Sequence, residues 1–144
     1  QHSAAQRDRG AVRYIQFSSE GLLVAVGAYQ LAPDQLARFR AAVDAPAVGG
    51  ELERILDQLA ENDIEVGPGA TEPLVTAPRG FSSDHPRIAL LRMKGLAAVV
   101  RRDPREVEDG EAMLADVIET FEACEPLHAW IRDNVGDSTA PRGR

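Results

Sequence analysis

Polar and hydrophobic residues alternate near the start of the chain and then give way to a continuous apolar run. Residues 12–18 place Val12, Tyr14 and Gln16 on one face of a strand and Arg13, Ile15 and Phe17 on the other. Residues 22–28 are apolar throughout, which favours a central strand covered on both faces. Gly21, at the end of the polar segment between them, tolerates the positive φ of a tight turn. The pattern predicts an antiparallel hairpin over residues 12–28.

Helical periodicity follows the hairpin. Pro33 and Asp34 suit the first turn of a helix, because proline loses no hydrogen bond there and an acid meets the positive end of the helix dipole. We expect this helix to end near residues 44–46 and Gly49–Gly50 to join it to a second helix. In the second helix, the positions i, i+3, i+4 and i+7 are Leu52, Ile55, Leu56 and Leu59.

The second half of the chain mixes short strands with helices. The predicted elements are strands at 64–66, 72–76 and 96–100 and a helix with Pro86 in its first turn, capped by Asp84 or His85. Asp103 and Glu106 have the spacing of a capping box. A longer helix then carries an apolar stripe as far as Ile131, with a kink expected at Pro126.

These elements predict an α+β fold class, with an antiparallel sheet that is built on the N-terminal hairpin and packed on one face by several α-helices. Residues 1–135 are expected to form a single domain, since 144 residues with 44% hydrophobic content suffice for one core. Residues 136–144 are predicted to be a disordered tail.

Composition narrows the functional classes. The longest apolar run, residues 21–29, has the length of a strand and is too short to span a membrane. Cys124 is the only cysteine, which excludes an internal disulfide and a cysteine-based zinc site and is compatible with a reducing cytoplasm. The first ten residues contain no apolar core of a signal peptide, and processing or truncation would account for a start at Gln1. We therefore expect a cytoplasmic protein.

The charge distribution is uneven along the chain. A net charge of −7 argues against a general nucleic-acid binder or membrane-surface binder, because negatively charged phosphate groups attract positively charged protein surfaces. Residues 79–102 nevertheless carry six basic residues and one acid, whereas residues 103–125 carry nine acids and one arginine. Either the two segments neutralise each other, or the basic segment faces an anionic partner.

The unusual chemistry of the chain is concentrated in residues 76–87. The candidate ligand-binding residues in and after this loop are Arg79, Ser83, Asp84, His85, Arg87 and Lys94. If the loop runs into a helix N-terminus, free N–H groups and the arginines could together hold a carboxylate or phosphate. The alternative is that Arg79 pairs with an acid of the final helix, Asp84 caps a helix and His85 is simply exposed.

Catalysis has weaker support in the sequence. His85 is the one candidate for a general base, and it would need another residue to orient it. The histidines His2, His85 and His128 lack metal-ligand spacing, and no phosphate-binding glycine motif is present, so we expect neither a metal nor a cofactor. Cys124 and Trp130 are interpreted as core residues.

Several segments together resemble a bacterial family called domain of unknown function 2461. The segments that carry the resemblance are Gly21–Tyr29, Ala32–Arg40, Ala77–Phe81, Asp84–Arg87, Leu90–Leu96 and Pro126–Trp130. Members of that family usually have an upstream region with an Arg-Asp-x-Arg-Phe motif, a lysine and a tyrosine, which this chain lacks. They also tend to have a lysine and a tyrosine where this chain has Val75 and Phe81. The resemblance implies that part of a site lies in the upstream region and that one strand edge or apolar surface is exposed here.

Two functions remain open at this point. The first is a binding or interaction module whose basic face holds an anionic small molecule or an acidic protein surface. The second is an enzyme that acts on a phosphorylated or carboxylated small molecule, with Arg79 and Arg87 orienting the anion and His85 acting as acid and base.

Overall fold

The computed structural model describes residues 11–107 and 109–139. The strands are β1 (Val12–Ser18), β2 (Gly21–Ala28), β3 (Glu65–Gly67) and β4 (Leu96–Arg102). The helices are α1 (Pro33–Asp44), α2 (Pro46–Glu61), α3 (Ile88–Leu91) and α4 (Gly110–Asn134), with a 3-10 turn at Pro104–Val107. The predicted α+β class is confirmed.

The four strands form one antiparallel sheet in the order β1-β2-β4-β3. The predicted hairpin is present, with Ser18 opposite Gly21 at its closed end. Gly21 has a φ of 118°, and a Cβ added there would lie 2.0 Å from the carbonyl oxygen of Arg102. The turn therefore requires glycine both for its backbone conformation and for the close approach of β4.

The core lies between the sheet and helices α1, α2 and α4. Its buried side chains include Val26, Phe39, Leu52, Leu59, Leu91, Ala98, Leu127 and Ile131. Trp130 packs edge-on against Phe39 at a ring-centroid distance of 6.1 Å, and its Nε1 donates to the Val48 carbonyl at 3.0 Å. Burial raises the pKa of the Cys124 thiol to about 11. Trp130 and Cys124 are thus core residues, as the sequence predicted.

Local predictions were wrong where tertiary contacts decided the structure. Helix α2 begins at Pro46, so Gly49 and Gly50 lie inside a helix and do not form a joint. Residues 72–76 form no strand, and the helix expected at Pro86 is reduced to the single turn Ile88–Leu91. Arg87 occupies its N-cap position and no side chain caps the helix. A helix of one turn has too small a dipole to create the anion pocket that the sequence suggested.

The first part of the C-terminal tail is held against α1. Gln35 Nε2 donates to the Gly136 carbonyl at 2.8 Å, and the Thr139 N–H donates to Asp34 Oδ2 at 2.8 Å. The hydrogen bond from Thr139, followed by the one from Ser138, holds the pKa of Asp34 well below its usual range. Residues 136–139 are therefore bound to the N-terminus of α1, where disorder was expected, while residues 140–144 lie outside the described residues.

Candidate functional site

The loop at residues 76–87 is anchored to the domain at several points. Pro78 is buried, and Phe81 packs against the core and lies edge-on to the His85 ring at a centroid distance of 6.3 Å. The Ser82 hydroxyl accepts a hydrogen bond from the Asp84 N–H at 3.0 Å, which tightens the turn before His85. The loop therefore holds a defined conformation without a regular secondary structure.

Arg87 fixes the end of this loop to the C-terminus of α1. Its Nε donates to the Val43 carbonyl at 2.6 Å, and a terminal nitrogen donates to the Asp44 carbonyl at 3.2 Å. A second terminal nitrogen lies 3.8 Å from a carboxylate oxygen of Glu53 on α2. These carbonyls are among those that a helix leaves unpaired at its C-terminus. The side chain of Arg87, which is 11% exposed, therefore makes its contacts within the protein.

His85 is attached to the same end of α1. Its Nε2 lies 2.8 Å from Asp44 Oδ1, and its Nδ1 accepts the Arg87 N–H at 3.0 Å. Because Nδ1 accepts, the Nε2 of a neutral ring carries the hydrogen and donates to the carboxylate. Both nitrogens are engaged, so neither is free to take a proton from a substrate in this arrangement.

Arg79 differs from its neighbours in the loop. It is exposed next to Gly80, whose φ is 93°, and it makes no ion pair within residues 11–107 and 109–139. The alternative in which Arg79 pairs with an acid of the final helix is not seen among the described residues, where Asp116 binds Arg102 at 2.8 Å and Glu125 binds Arg13 at 2.7 Å. The contact between Arg102 and Asp116 is where the basic and acidic segments do neutralise each other.

A second group of arginines lies at the other end of the loop region. Arg40 on α1 donates through Nε to the Leu91 carbonyl at 3.2 Å, and this carbonyl belongs to the peptide that joins Leu91 to Arg92. The Arg92 Nε is buried and has no hydrogen-bond partner in the part of the chain that the structure describes. Burial also lowers the pKa of Arg40. Neither Arg40 nor Arg92 has a carboxylate oxygen within 4 Å among the described residues, and the Arg40 hydrogen bond brings its guanidinium to the peptide bond that precedes Arg92.

Helix α1 contacts both ends of the segment that runs from His85 to Leu91. Arg40 and Asp44 are four residues apart and therefore lie on the same helix face. Asp44 holds His85, and Arg40 holds the carbonyl of Leu91, so both ends of the segment 85–91 are bound to one side of α1. The Leu74 N–H donates to the Arg92 carbonyl at 2.8 Å, which brings the chain that leads to Arg79 alongside this segment.

The family assignment follows from a direct match. The family model described as a conserved hypothetical protein (DUF2461) matches residues 1–130. The chain belongs to the DUF2461 family. No curated protein and no solved structure gives a significant match. The family resemblance that the separate motifs indicated is thereby confirmed. The description of the family names no biochemical activity.

The DUF2461 chain brings its sequence-predicted site residues to different environments. His85 and Arg87 meet at the end of α1, whereas Arg79, Ser83 and Asp84 are exposed on the loop. Lys94 is half-buried, and its carbonyl accepts the Leu31 N–H at 3.0 Å. Sequence reasoning did not select Arg40 or Arg92 as a candidate site residue. Their proximity depends on a contact between residues 51 positions apart, which no local pattern indicates.

Other potential sites in the described ranges are less developed. No group of three or more histidine, cysteine or acidic residues there could hold a metal ion. A cleft of about 490 Å³ lies between α2 and α4 and is lined by Glu51, Arg54, Ile55, Gln58, Asn62, Ala123 and Pro126. No described helix is both long and apolar enough to cross a membrane. The arginines beside α1 therefore remain the candidate functional site.

Proposed function

We propose that this DUF2461 chain is an anion-binding module. Arg40 and Arg92 receive a carboxylate or phosphate group of a small molecule or an acidic protein surface, and exposed Arg79 contributes a further positive charge. The observation that carries the proposal is the buried Nε of Arg92, which has no hydrogen-bond partner among the described residues, next to the peptide bond to which Arg40 donates. A buried N–H donor without an acceptor is costly, and an anion supplies the acceptor and the compensating charge.

The rigid attachment of the loop supports the same role. Arg87 and His85 hold the loop against α1, so the backbone that carries Arg79 is ordered before any ligand arrives. Binding then costs less conformational entropy than it would on a free loop. Ser83 and Asp84 are exposed beside it, where a hydroxyl can donate to an anion and a carboxylate disfavours one. Lys94 remains a candidate for an additional positive charge.

The enzymatic alternative has less support. His85 uses both ring nitrogens within the protein, and Cys124 is buried with a raised thiol pKa. A nucleophile or general base must have a free atom within reach of a substrate. We therefore favour binding over catalysis. The single cysteine, which is buried, supports a further part of the proposal, a location in the bacterial cytoplasm.

The test uses inorganic phosphate and succinate as simple anions. Titration of each into ¹⁵N-labelled protein is expected to shift the amide and guanidinium signals of Arg40, Arg92 and their neighbours. Arg40→Gln and Arg92→Gln should each weaken binding by about tenfold, since one charge-assisted hydrogen bond is worth roughly 1.5–3 kcal/mol. Arg79→Gln is expected to have a smaller effect because its charge is fully hydrated.

Arg54→Gln is the matched control. Arg54 is an exposed arginine on α2 that has no ion-pair partner within the described ranges, so the substitution removes the same charge at another place. If Arg54→Gln weakens anion binding as much as Arg40→Gln, the effect comes from net charge and the proposed site is wrong. Unchanged binding in all four variants would also contradict the proposal.

A further inference from the structure

Four large apolar side chains remain exposed on one side of the sheet. They are Ile15 and Phe17 on β1, with 48% and 61% exposure, and Leu114 and Ile118 on α4, with 58% and 48%. Ile15 lies opposite Val24 and Phe17 opposite Leu22 in the hairpin register, and cross-strand partners share a face of the sheet. Leu22 and Val24 are buried together with Val117 of α4. The exposed side chains of β1 therefore lie on the face that α4 covers.

The exposed residues of α4 point towards β1. Leu114, Ile118 and Glu125 follow one another at spacings of four and seven residues, which places them on a single stripe of the helix. Glu125 Oε1 lies 2.7 Å from a terminal nitrogen of Arg13 on β1, so this stripe faces the strand. Ile15, Phe17, Leu114 and Ile118 thus lie on the facing sides of the strand and the helix, and we call the apolar surface between these two elements the β1–α4 groove.

The strand side of this groove is also open for pairing. β1 stands at the end of the sheet order and pairs only with β2 among the described strands. An edge strand offers backbone N–H and C=O groups that an incoming extended segment can use. The exposed strand edge and apolar surface expected from the sequence are therefore both present, and they coincide.

The outer rim of the groove is acidic. Glu111 and Glu122 are exposed on α4, seven residues before and four residues after Ile118, and so lie beside its stripe. Neither forms an ion pair with any described residue. Their Cα atoms are roughly 16 Å apart at 1.5 Å per residue. An extended strand spans a comparable ~20 Å over six residue steps.

We propose that the β1–α4 groove binds an extended segment of another protein, which adds to β1 as a further strand. Its side chains towards α4 are basic, apolar, apolar and basic in turn, so that the apolar pair covers Leu114 and Ile118 and the basic ends meet Glu111 and Glu122. A second copy of this chain fits the groove less well. It would bring the same glutamates together, and each chain already carries a net charge of −7.

The probe is the synthetic peptide acetyl-Lys-Thr-Ile-Thr-Val-Thr-Lys-amide with a fluorescent label, and binding is measured by anisotropy. The wild-type protein should bind it, with an affinity that falls as salt concentration rises. The double variant Leu114→Ser, Ile118→Ser should weaken binding by about tenfold or more. Both positions are exposed, so the variant should fold, which its circular dichroism spectrum verifies.

Charge and backbone pairing are tested separately. Glu111→Lys combined with Glu122→Lys should abolish the salt dependence and most of the affinity. Asp57→Lys combined with Glu61→Lys on α2 changes net charge equally and should leave most of the affinity intact. A peptide that is N-methylated at alternate residues on its pairing edge should not bind, because it cannot complete the strand ladder.

Three results would overturn the proposal. The first is equal binding of the peptide to the wild-type protein and to the Leu114→Ser, Ile118→Ser variant. The second is equal or tighter binding of a peptide with glutamate in place of lysine. The third is a wild-type dimer in sedimentation velocity that Ile118→Ser dissociates while the peptide fails to bind, which would assign the groove to a second copy.

Discussion

The loop at residues 76–87 and the β1–α4 groove use their side chains in opposite ways. The loop concentrates polar and charged residues in a short segment, and its two most suggestive ones, His85 and Arg87, are bound to the end of α1. The groove consists of ordinary apolar residues, yet these remain exposed beside an open strand edge. The comparison teaches that a polar motif can serve the fold while an unremarkable apolar pattern leaves a surface for a partner.

The largest expected effect concerns Arg87. Arg87→Ala removes the donors to the Val43 and Asp44 carbonyls, and we expect a loss of about 3 kcal/mol in the free energy of unfolding, because the carbonyls lose buried, charge-assisted partners. Arg79→Ala in the same loop should change that free energy by less than about 0.5 kcal/mol. Urea denaturation compares the two variants. Equal losses of unfolding free energy in the two variants would contradict the distinction between a structural Arg87 and an exposed Arg79.

The next effect concerns Gly49, which lies against the contact between Arg87 and the end of α1. A Cβ at Gly49 would lie 2.1 Å from the Val43 carbonyl oxygen and 2.6 Å from Arg87 Nε. Gly49→Ala should therefore cost about 2 kcal/mol of overpacking, despite the better helix propensity of alanine. Gly50→Ala meets only the tip of Arg54 at 3.9 Å and should stabilise the helix by about 0.5–1 kcal/mol. A stabilising Gly49→Ala, measured by thermal denaturation, would contradict the close approach.

A smaller effect separates the buried side of the groove from its exposed side. Val117 is 7% exposed and packs against Leu22 and Val24, so Val117→Ala should cost about 1.5 kcal/mol. Ile118, the next residue, is 48% exposed, and Ile118→Ala should cost less than about 0.5 kcal/mol. Chemical denaturation of the two variants provides the measurement. A large cost at Ile118 would mean that the groove is already filled by the protein itself.

The smallest effect is a pH dependence at the polar end of the groove. Burial, followed by the charge of Arg13, lowers the pKa of His128 below its ordinary 6.5, with Glu125 opposing and Arg132 reinforcing the shift. The unfolded chain then binds more protons than the folded one as pH falls below about 6.5, so this histidine makes the protein less stable towards acid. His128→Gln should flatten the stability profile between about pH 5 and 7. An unchanged slope would exclude His128 as a contributor.

Local rules predicted the elements whose stabilising contacts are close in sequence. The hairpin formed around Gly21, and the capping-box spacing of Asp103 and Glu106 produced a 2.7 Å hydrogen bond from the Asp103 N–H to the glutamate. The candidate site was predicted only in part. Arg79 is exposed as a ligand-binding residue requires, but the environment of Arg40 and Arg92 depends on the contact between α1 and α3, which no local pattern indicates.

The sequence by itself determined the α+β class, the hairpin and the long helices, because periodicity and turn chemistry act over a few residues. Its separate motifs resembled the family whose model matches residues 1–130. Only the tertiary structure decided that Arg87 clamps α1, that His85 binds Asp44 and that Ile15 and Phe17 stay exposed. The first two outcomes depend on contacts between residues 44 and 41 positions apart, and the third on how far α4 covers the edge of the sheet. The same arginine is a ligand-binding group or a structural one according to which carbonyls and carboxylates the fold places beside it.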